Sequence, residues 1–526
     1  MKSANLFLYG PPGSGKSTVA KALANNLELP FIDLDAQIEK ETGMTIPEIF
    51  AQAGENKFRQ LEAQYLSAAI SGAHPAVISL GGGALLAPEC RYMAESAGEI
   101  ICLQAPDKIL LQRSMAAPGT RPLLIGNQAD RLKDLLTERR AHYESFPIQI
   151  PTGSRSVEAI LSDIRIRVGR FHLQGMSNPY DIRIQAGSTR SINDFLPPSL
   201  AGKKVVVVTD EHVGTYYEAR LVSQLSLKDQ SVDVLTIPAG ESSKSIESLM
   251  KIWDGLLKAG ADRKSVLLAM GGGMIGDLAG FAAATFLRGI PWINLPSTLL
   301  AQVDAGIGGK TGINLPQGKN LAGAFYPPAL VLIDPELLLT LPQAEQYNGM
   351  AEVIKHGVIG DPILFERCSA GKPYLESSPT ELVSRAAAVK IHVVQIDPFE
   401  SSHREALNFG HTVGHAVEKA YNFELRHGEA VAIGMVAEAF IAEQLGIALQ
   451  GLYLEIAAVL QKFELPTHLP EDLTDETIEK TARYDKKRQH ARHRLALPSG
   501  IGQVQVGVEI EDLTPLLAEF RRSYSP

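Results

Sequence analysis

The chain has 526 residues, 45% hydrophobic and 21% charged, with a net charge of −9 and only three cysteines. That length exceeds a single hydrophobic core and implies roughly three structural units. The composition excludes extended disorder, and the acidic balance argues against nucleic acid as the main partner. Cys90, Cys102 and Cys368 stand too far apart for a CxxC pair or a disulfide framework.

The apolar run Leu6–Tyr9 is too short for a secretory core, and no uncharged apolar stretch reaches about 18 residues. A cytoplasmic protein acting on small molecules, without a membrane span, is expected. From residue 1 to about 167, short strands (Leu6–Tyr9, Phe31–Leu34, Val77–Leu80, Ile100–Leu103) alternate with helices such as Ser17–Leu27 and Ile46–Ser71. That alternation predicts a parallel α/β sheet. The stretch Phe171–Tyr180, with Gly, Ser, Asn and Pro, reads as a linker. A second α/β pattern follows, with strands Val205–Thr209, Val232–Ile237, Ser265–Met270 and Trp292–Leu295. After about residue 338 helical patterns dominate, and Ala430 to Leu445, interrupted by Glu438 and Glu443, reads as a buried helix.

Gly10–Ser17 fits G-x-x-x-x-G-K-[ST] between a strand and a helix. In that setting backbone N–H groups close around phosphates, the lysine reaches the β and γ phosphates, and the serine ligates Mg²⁺. Asp33-Leu34-Asp35 ends a predicted strand, where residues two apart share a face. One carboxylate can then serve the Mg²⁺ shell and the other a substrate hydroxyl. Arg59 has Glu62 at i+3 on a helix, and Gly81-Gly82-Gly83 allows close approach to backbone. Arg121 and Arg139 bracket a lid with Pro118-Gly119 as its turn; arginine forks suit a carboxylate or a moving phosphoryl group. Singly these features have bland readings: a surface pair, a solvated strand end, an ordinary turn.

In order, however, Gly10–Ser17, Asp33–Asp35, Gly54–Glu62, Ser79–Gly83, Arg121–Leu124 and Arg139–Tyr143 resemble shikimate kinase over nearly all of residues 1–167. The resemblance implies a P-loop kinase domain over 1–168 that phosphorylates shikimate. It places ATP on Gly13, Ser14, Gly15, Lys16, Ser17 and Thr18, with Arg113 near the adenine and Arg121 closing from the lid. It places Mg²⁺ on Ser17 and Asp33. Arg59 and Arg139 clamp the shikimate carboxylate, Asp35 holds ring hydroxyls, and the backbone of Gly81, Gly82 and Gly83 lines the site. Asp35, Lys16 and Arg121 carry the catalysis. Ala20, where glycine is common, is a departure.

Further on, Gly271–Asp277 fits G-x-G-x-x-G between a strand and the helix Asp277–Phe286, although the acidic residue expected about 20 positions later is missing. Asp210, and Glu241 with Lys244, follow strands and are candidate nucleotide contacts. His411, His415 and His427 lie within 17 residues of a chain with 13 histidines. His411 and His415 stand one helical turn apart; such a pair can bind zinc, or one can move protons. Arg404, Asn408 and His411 recur on a helical stripe. Basic residues are numerous here: Arg288, Lys310, Lys319, Lys355, Lys390, Arg404, Lys486 and Lys487. Lys310 and Lys319 sit in glycine-rich turns that suit anions, while the run from Lys486 to Arg494 reads mostly as a solvated face.

Pro238–Lys244, Gly271–Thr285, Leu287–Ile290, Pro296–Asn314, Gly318–Asn320, Ala351–Gly357, Asn408–Glu418 and Arg426–Met435 together resemble 3-dehydroquinate synthase over roughly 177–526. Ser297 and Ala305-Gly306 depart mildly from that pattern. The resemblance implies a linker at 169–177, a Rossmann-like α/β NAD domain at 178–336 and an α-helical metal- and substrate-binding domain at 337–526. It assigns Zn²⁺ or Co²⁺ to Glu352, His411 and His427, and proton handling to His415. Substrate hydroxyls, carboxylate and phosphate fall to Asp304, Lys310, Lys355, Lys390, Arg404, Asn320 and Lys486. Of these, Lys310, Lys355 and Arg404 act in catalysis with Asn408, and Arg288 reaches across a homodimer interface. NAD⁺ falls to Asp210, Glu241, Lys244, the turn Gly273, Met274, Ile275, Gly276 and Asp277, then Ser297, Thr298, Lys310, Lys319 and Thr340. The implied reaction turns 3-deoxy-arabino-heptulosonate 7-phosphate into 3-dehydroquinate and phosphate. A polyol dehydrogenase or another sugar-phosphate cyclase is the runner-up, and a scaffold with one inert half is a reading of a different class.

Overall fold

The computed structural model describes residues 5–72, 74–116, 128–200, 202–226, 232–421, 424–485 and 492–524. The chain divides into two compact units, Met1–His172 and Leu173–Pro526. The first holds strands β1 (Asn5–Tyr9), β2 (Phe31–Asp33), β3 (Val77–Ser79), β4 (Gly98–Gln104) and β5 (Ile148–Pro151), ordered β2-β3-β1-β4-β5. All pairings are parallel. The central strand β1 reads as an unbroken apolar run because both its faces are covered. Phe7 and Tyr9 enter one core with Ile49, Phe58 and Leu66 of the helix Ile46–Ile70. Leu6 and Leu8 enter the other with Val19, Ala20 and Leu23 of the helix Lys16–Leu27. Ala20 is fully buried there.

Two local expectations change. The helix expected over Ile46–Ser71 starts on a Thr45–Glu48 capping box but is broken at Gly54, whose φ of 79° no ordinary helical residue adopts. Strand β2 ends at Asp33, and Leu34–Thr42 is a helix. Asp33 and Asp35 therefore do not share a strand face. Asp33 caps the helix by accepting from the Ala36 N–H at 3.3 Å, and Asp35 lies in its first turn.

The stretch expected as a linker begins with strand β6 (Arg170–Leu173), in which Phe171 and Leu173 are buried; the boundary between units falls inside it. The second unit continues with β7 (Tyr180–Ile184), β8 (Val205–Asp210), β9 (Val232–Ile237), β10 (Val266–Gly271), β11 (Trp292–Pro296), the antiparallel hairpin β12 (Lys310–Leu315) and β13 (Gly318–Phe325), and β14 (Leu330–Ile333). Strands β7-β14-β11-β10-β8-β9 lie side by side in that order, all parallel. Val206 and Val208 face one core and Val205 and Val207 the other, so helices cover both faces.

The helical layer of this unit centres on His427–Gln444, buried from Ala430 to Glu443. Glycines let the helix His411–Ala420 close on it: a Cβ on Gly434 would lie 1.9 Å from the Gly410 carbonyl oxygen. Glu438 then reaches across, accepting from the Gly410 N–H at 2.7 Å and the Val413 N–H at 2.9 Å. Gly410, at φ 79°, separates this helix from the 3₁₀ turn His403–Asn408. Arg404 and Asn408 thus lie off the helix that His411 opens, contrary to the continuous stripe expected. A β15 (His493–Gly500)–β16 (Gln503–Ile510) hairpin interrupts the otherwise helical part. Among the described residues no helix is long and apolar enough to cross a membrane.

Candidate active sites

In the first unit, register brings the site together. Asp33 pairs with Ser79, and Ser79 with Leu8, so the turns after β1, β2 and β3 meet at one edge of the sheet. Gly10, Gly13 and Gly15 have φ of 133°, 82° and 93°. A Cβ on Gly10 would strike the Leu103 carbonyl at 2.3 Å, whereas Gly15 faces open space. Gly15 N-caps the helix Lys16–Leu27 without a side-chain cap, so the helix N-terminus presents backbone N–H groups suited to a phosphate. Lys16 Nζ donates back to Gly10 O at 3.0 Å and Pro11 O at 3.1 Å. Ser17 Oγ lies 3.3 Å from Ser79 Oγ, and both it and Thr18 are exposed; the Ser14 hydroxyl is buried. Arg113 bridges Gly13 O (3.5 Å) and Gly153 O (2.6 Å), at the rim of the same loop. Arg121 lies outside the described residues.

Beside this loop, Arg59 is gripped by Glu62 at 2.6 Å and Glu55 at 3.0 Å. A Cβ on Gly81 would lie 2.6 Å from Glu62 Oε1 and 3.0 Å from Asp35 Oδ1; one on Gly83 would lie 2.5 Å from Arg59 Nη2. The three glycines therefore let two carboxylates and a guanidinium press against a backbone turn. Asp35 Oδ1 and Arg139 Nε are buried without a hydrogen-bond partner among the described residues, as an awaiting ligand requires. Burial, then Asp33, pushes Asp35 up to about 6, which suits a proton acceptor working near neutrality. Replacing Arg59 with alanine is expected to raise the KM for shikimate at least ~10-fold and leave the KM for ATP unchanged, in coupled ADP assays.

Burial pushes Glu62 up from 4.5 to about 7, with Arg59 opposing. The folded state thus favours the protonated acid. Its contribution to stability is full below the free-carboxyl range and is lost as pH rises through about 7. The unfolding transition that responds to ATP or shikimate is expected to move down in temperature between pH 5 and 8, and Glu62→Gln to flatten that slope.

In the second unit, Met270 pairs with Thr209 and Gly271 with Pro296. Asp210, the Gly271–Gly273 turn and Ser297 therefore crowd one edge of three adjacent strands. Gly272 N-caps the helix Gly273–Thr285 without a side-chain cap, and a Cβ on it would lie 3.1 Å from Thr298 Cγ2. Met274, Ile275 and Gly276 form the first turn after Gly273. Lys244, buried, pairs with Asp277 at 2.5 Å and with the Asn320 side chain. Glu241 accepts from Asn314 at 2.8 Å, and Asp210 from the His212 and Val213 N–H groups at 3.0 and 2.9 Å. Thr340 lies farther along, its hydroxyl 2.6 Å from the Tyr217 hydroxyl. The Ser297 hydroxyl is buried without a partner among the described residues. The open helix end, the side-chain-free turn and the orphan hydroxyl fit a dinucleotide phosphate.

The helices Gln343–Gly360, His411–Ala420 and His427–Gln444 bring Glu352, His411 and His427 together, with their ligand atoms within 4.8 Å of one another. Glu352 Oε1 stands 3.4 Å from His411 Nε2 and 3.3 Å from His427 Nε2. Each far ring nitrogen faces an oxygen: His411 Nδ1 is 3.1 Å from Phe409 O, and His427 Nδ1 is 3.6 Å from Glu418 Oε2. Two imidazoles and a carboxylate, held from behind, fit a zinc-type ion with an open position. His415 stacks edge-on 5.0 Å from His411 and lines a cavity with Asn408, Thr412, Lys419 and Thr481.

Residues 234–348 match the family described as 3-dehydroquinate synthase N-terminal, 349–488 its C-terminal counterpart, and 12–168 shikimate kinase. A 3-dehydroquinate synthase of Synechococcus sp. is 46% identical over 347 residues, 64% of this chain and 94% of the relative. The chain belongs to the 3-dehydroquinate synthase family. Ahead of the synthase it carries a shikimate kinase domain. The synthase of Symbiobacterium thermophilum is 44% identical over 338 residues, 63% of this chain and 94% of the relative. Among solved structures, the 2-epi-5-epi-valiolone synthase ValA of Streptomyces hygroscopicus, with NAD⁺ and Zn²⁺ bound, is 29% identical. It matches with a TM-score of 0.59 over 67% of this chain and 97% of its own.

Of the basic residues expected in this site, Lys355 touches the Glu352–His411–His427 group directly. It is buried against Glu352. Lys390 pairs with Asp304 at 2.6 Å. Burial opposes ionisation of Asp304, but Lys390 and Lys355 hold its carboxyl well below the usual range. The buried Arg404 donates to Pro398 O at 2.7 Å, and a Cβ on Gly308 would lie 2.7 Å from its Nη2. Lys310 pairs with Glu400 at 2.5 Å, and Lys319 with Glu418 at 2.8 Å. Arg288 is exposed on a turn where Leu287 and Arg288 both have positive φ. Lys486 and Lys487 lie outside the described residues. Three groups escaped the sequence reading: Glu418 behind His427, Glu438 beneath His411, and the buried His356, whose Nε2 is 3.5 Å from Asp304 Oδ1. Their partners lie on other elements, 9 residues away for Glu418, 25 and 28 for Glu438 and 52 for His356.

Proposed function

We propose that both units turn over, at two steps of aromatic-precursor synthesis that are not consecutive. The kinase phosphorylates shikimate on its 3-hydroxyl. ATP with Mg²⁺ supplies the phosphoryl group when bound. Lys16 and the P-loop N–H groups hold the phosphates, Arg59 and Arg139 hold the shikimate carboxylate, and Asp35 takes the hydroxyl proton. Arg121 neutralises charge from the lid.

The synthase converts 3-deoxy-arabino-heptulosonate 7-phosphate to 3-dehydroquinate and phosphate. NAD⁺ and a divalent ion supply transient oxidation and polarisation at C5 when bound, on Gly273–Asp277 with Ser297 and on Glu352, His411 and His427. Lys355, Lys390 and Asp304 orient the substrate hydroxyls, and Arg404 and Lys310 offset its anionic ends. His415, beside Asn408, handles protons as phosphate leaves. The synthase acts as a cytoplasmic homodimer in which Arg288 reaches the partner's site; equilibrium sedimentation tests the dimer.

The observation that supports this reading is the Glu352–His411–His427 cluster with buried Lys355 on Glu352, beside the buried Lys390–Asp304 pair. Such a grouping suits an oxidised, phosphorylated polyol acid rather than a neutral polyol. One preparation given both assays decides it: phosphate release from the heptulosonate phosphate without net NADH, and ADP formation with shikimate. Net NADH accumulation would assign the second unit to a dehydrogenase.

A further inference from the structure

Gly81–Gly83 leave β3 and run outside any strand, so their carbonyls must find partners elsewhere. The Gly82 carbonyl accepts two: the Tyr143 hydroxyl at 2.7 Å and the Tyr9 hydroxyl at 3.2 Å. The Tyr9 oxygen also lies 3.1 Å from His142 Nε2, so with the phenolic proton given to Gly82 that nitrogen carries an N–H and donates. Both tyrosine rings are buried and pack together, 5.5 Å between centroids, with Phe146 against Tyr9. Burial raises both phenols, Tyr143 to about 12, so each stays a donor across the working range.

This one carbonyl joins three parts of the site. Tyr9 immediately precedes the P-loop glycine Gly10. Tyr143 stands one turn beyond Arg139 on the helix Gln128–Glu144. Gly82 itself sits between Gly81, pressed by Glu62 and Asp35, and Gly83, pressed by Arg59. A Cβ on Gly82 would lie 3.3 Å from Gly10 O and 3.5 Å from the Tyr143 hydroxyl, so the turn has little room to slide.

We propose that Tyr143 and Tyr9 are positioning residues for the kinase acceptor: their hydroxyls fix the Gly82 carbonyl and thereby hold the glycine turn at the spacing that Asp35, Arg59 and Arg139 require around one ring. The inference rests on the reading that this turn holds shikimate. Tyr143→Phe and Tyr9→Phe keep the ring packing and remove only the hydroxyl. In the full chain, Tyr143→Phe is expected to raise the shikimate KM ~5–15-fold, with kcat within about 3-fold and the ATP KM unchanged. Tyr9→Phe, losing the longer bond, is expected to do less, and the double variant more than either. An unchanged shikimate KM in Tyr143→Phe overturns the proposal. So does a parallel rise in both KM values, the mark of general loosening. A wild-type chain that makes no ADP with shikimate removes the acceptor reading itself, whereas an active wild type with an insensitive Tyr143→Phe removes the clamp alone.

Discussion

Glu352→Gln is expected to slow phosphate release by ~10³-fold or more and to strip the synthase of its metal, while ADP formation by the same preparation stays at the wild-type rate. Glu352 is fully buried and supplies the only carboxylate of the triad. An amide offers a neutral, weaker ligand, and two imidazoles alone do not hold a divalent ion tightly. The substitution also takes the carboxylate away from Lys355, 1% exposed, leaving it Asp304 as the nearby anion. Removing one partner of a buried ion pair costs about 3–5 kcal/mol, so stability falls as well. Glu352→Gln with Lys355→Met separates the two effects: it should recover thermal stability and recover neither metal, measured by elemental analysis, nor turnover. Full metal content with normal phosphate release in the single variant would remove Glu352 from the centre.

Lys16→Met should give the mirror image. ADP formation is expected to drop ~10²–10³-fold with phosphate release by the synthase unchanged. Lys16 lies folded over the P-loop on the Gly10 and Pro11 carbonyls, and a bound triphosphate offers a stronger anionic partner. Methionine keeps the apolar stem but not the charge, so the loop should stand while charge neutralisation fails. Shikimate affinity, followed by calorimetry, should hardly move, because its proposed contacts are on Arg59, Arg139 and the glycine turn. If Lys16→Met lost shikimate binding as strongly as turnover, the division between phosphate and acceptor subsites would be wrong.

Much of this was legible because phosphate loops and parallel sheets are written locally. The P-loop needs its glycines at φ values only they tolerate, and β1 and β8 are apolar on both faces, so motif and strand are visible together. The Arg59–Glu62 pair and the His411–His415 turn were likewise fixed by helical spacing. What failed was spacing carried across an unrecognised break. Asp33 and Asp35 straddle a strand end because Asp33 caps the next helix, and the Arg404–Asn408–His411 stripe is cut by Gly410. Strand β13 mixes small and polar residues with the exposed Leu321 and Phe325 and has no buried face, so alternation gave no signal there. Glu418 and Glu438 were out of reach for a different reason. Each acts on a backbone or ring brought near only by helix packing, and glycine contacts such as Gly434 on Gly410 set that packing.

The two units, Met1–His172 and Leu173–Pro526, are parts of one polypeptide. Every chain made therefore delivers one centre of each kind, and gene dosage cannot tilt their ratio. Whatever balance a cell needs between ring closure early in the route and phosphorylation later must be written into the two turnover numbers. A substitution that slows one centre cannot be offset by making more protein without oversupplying the other.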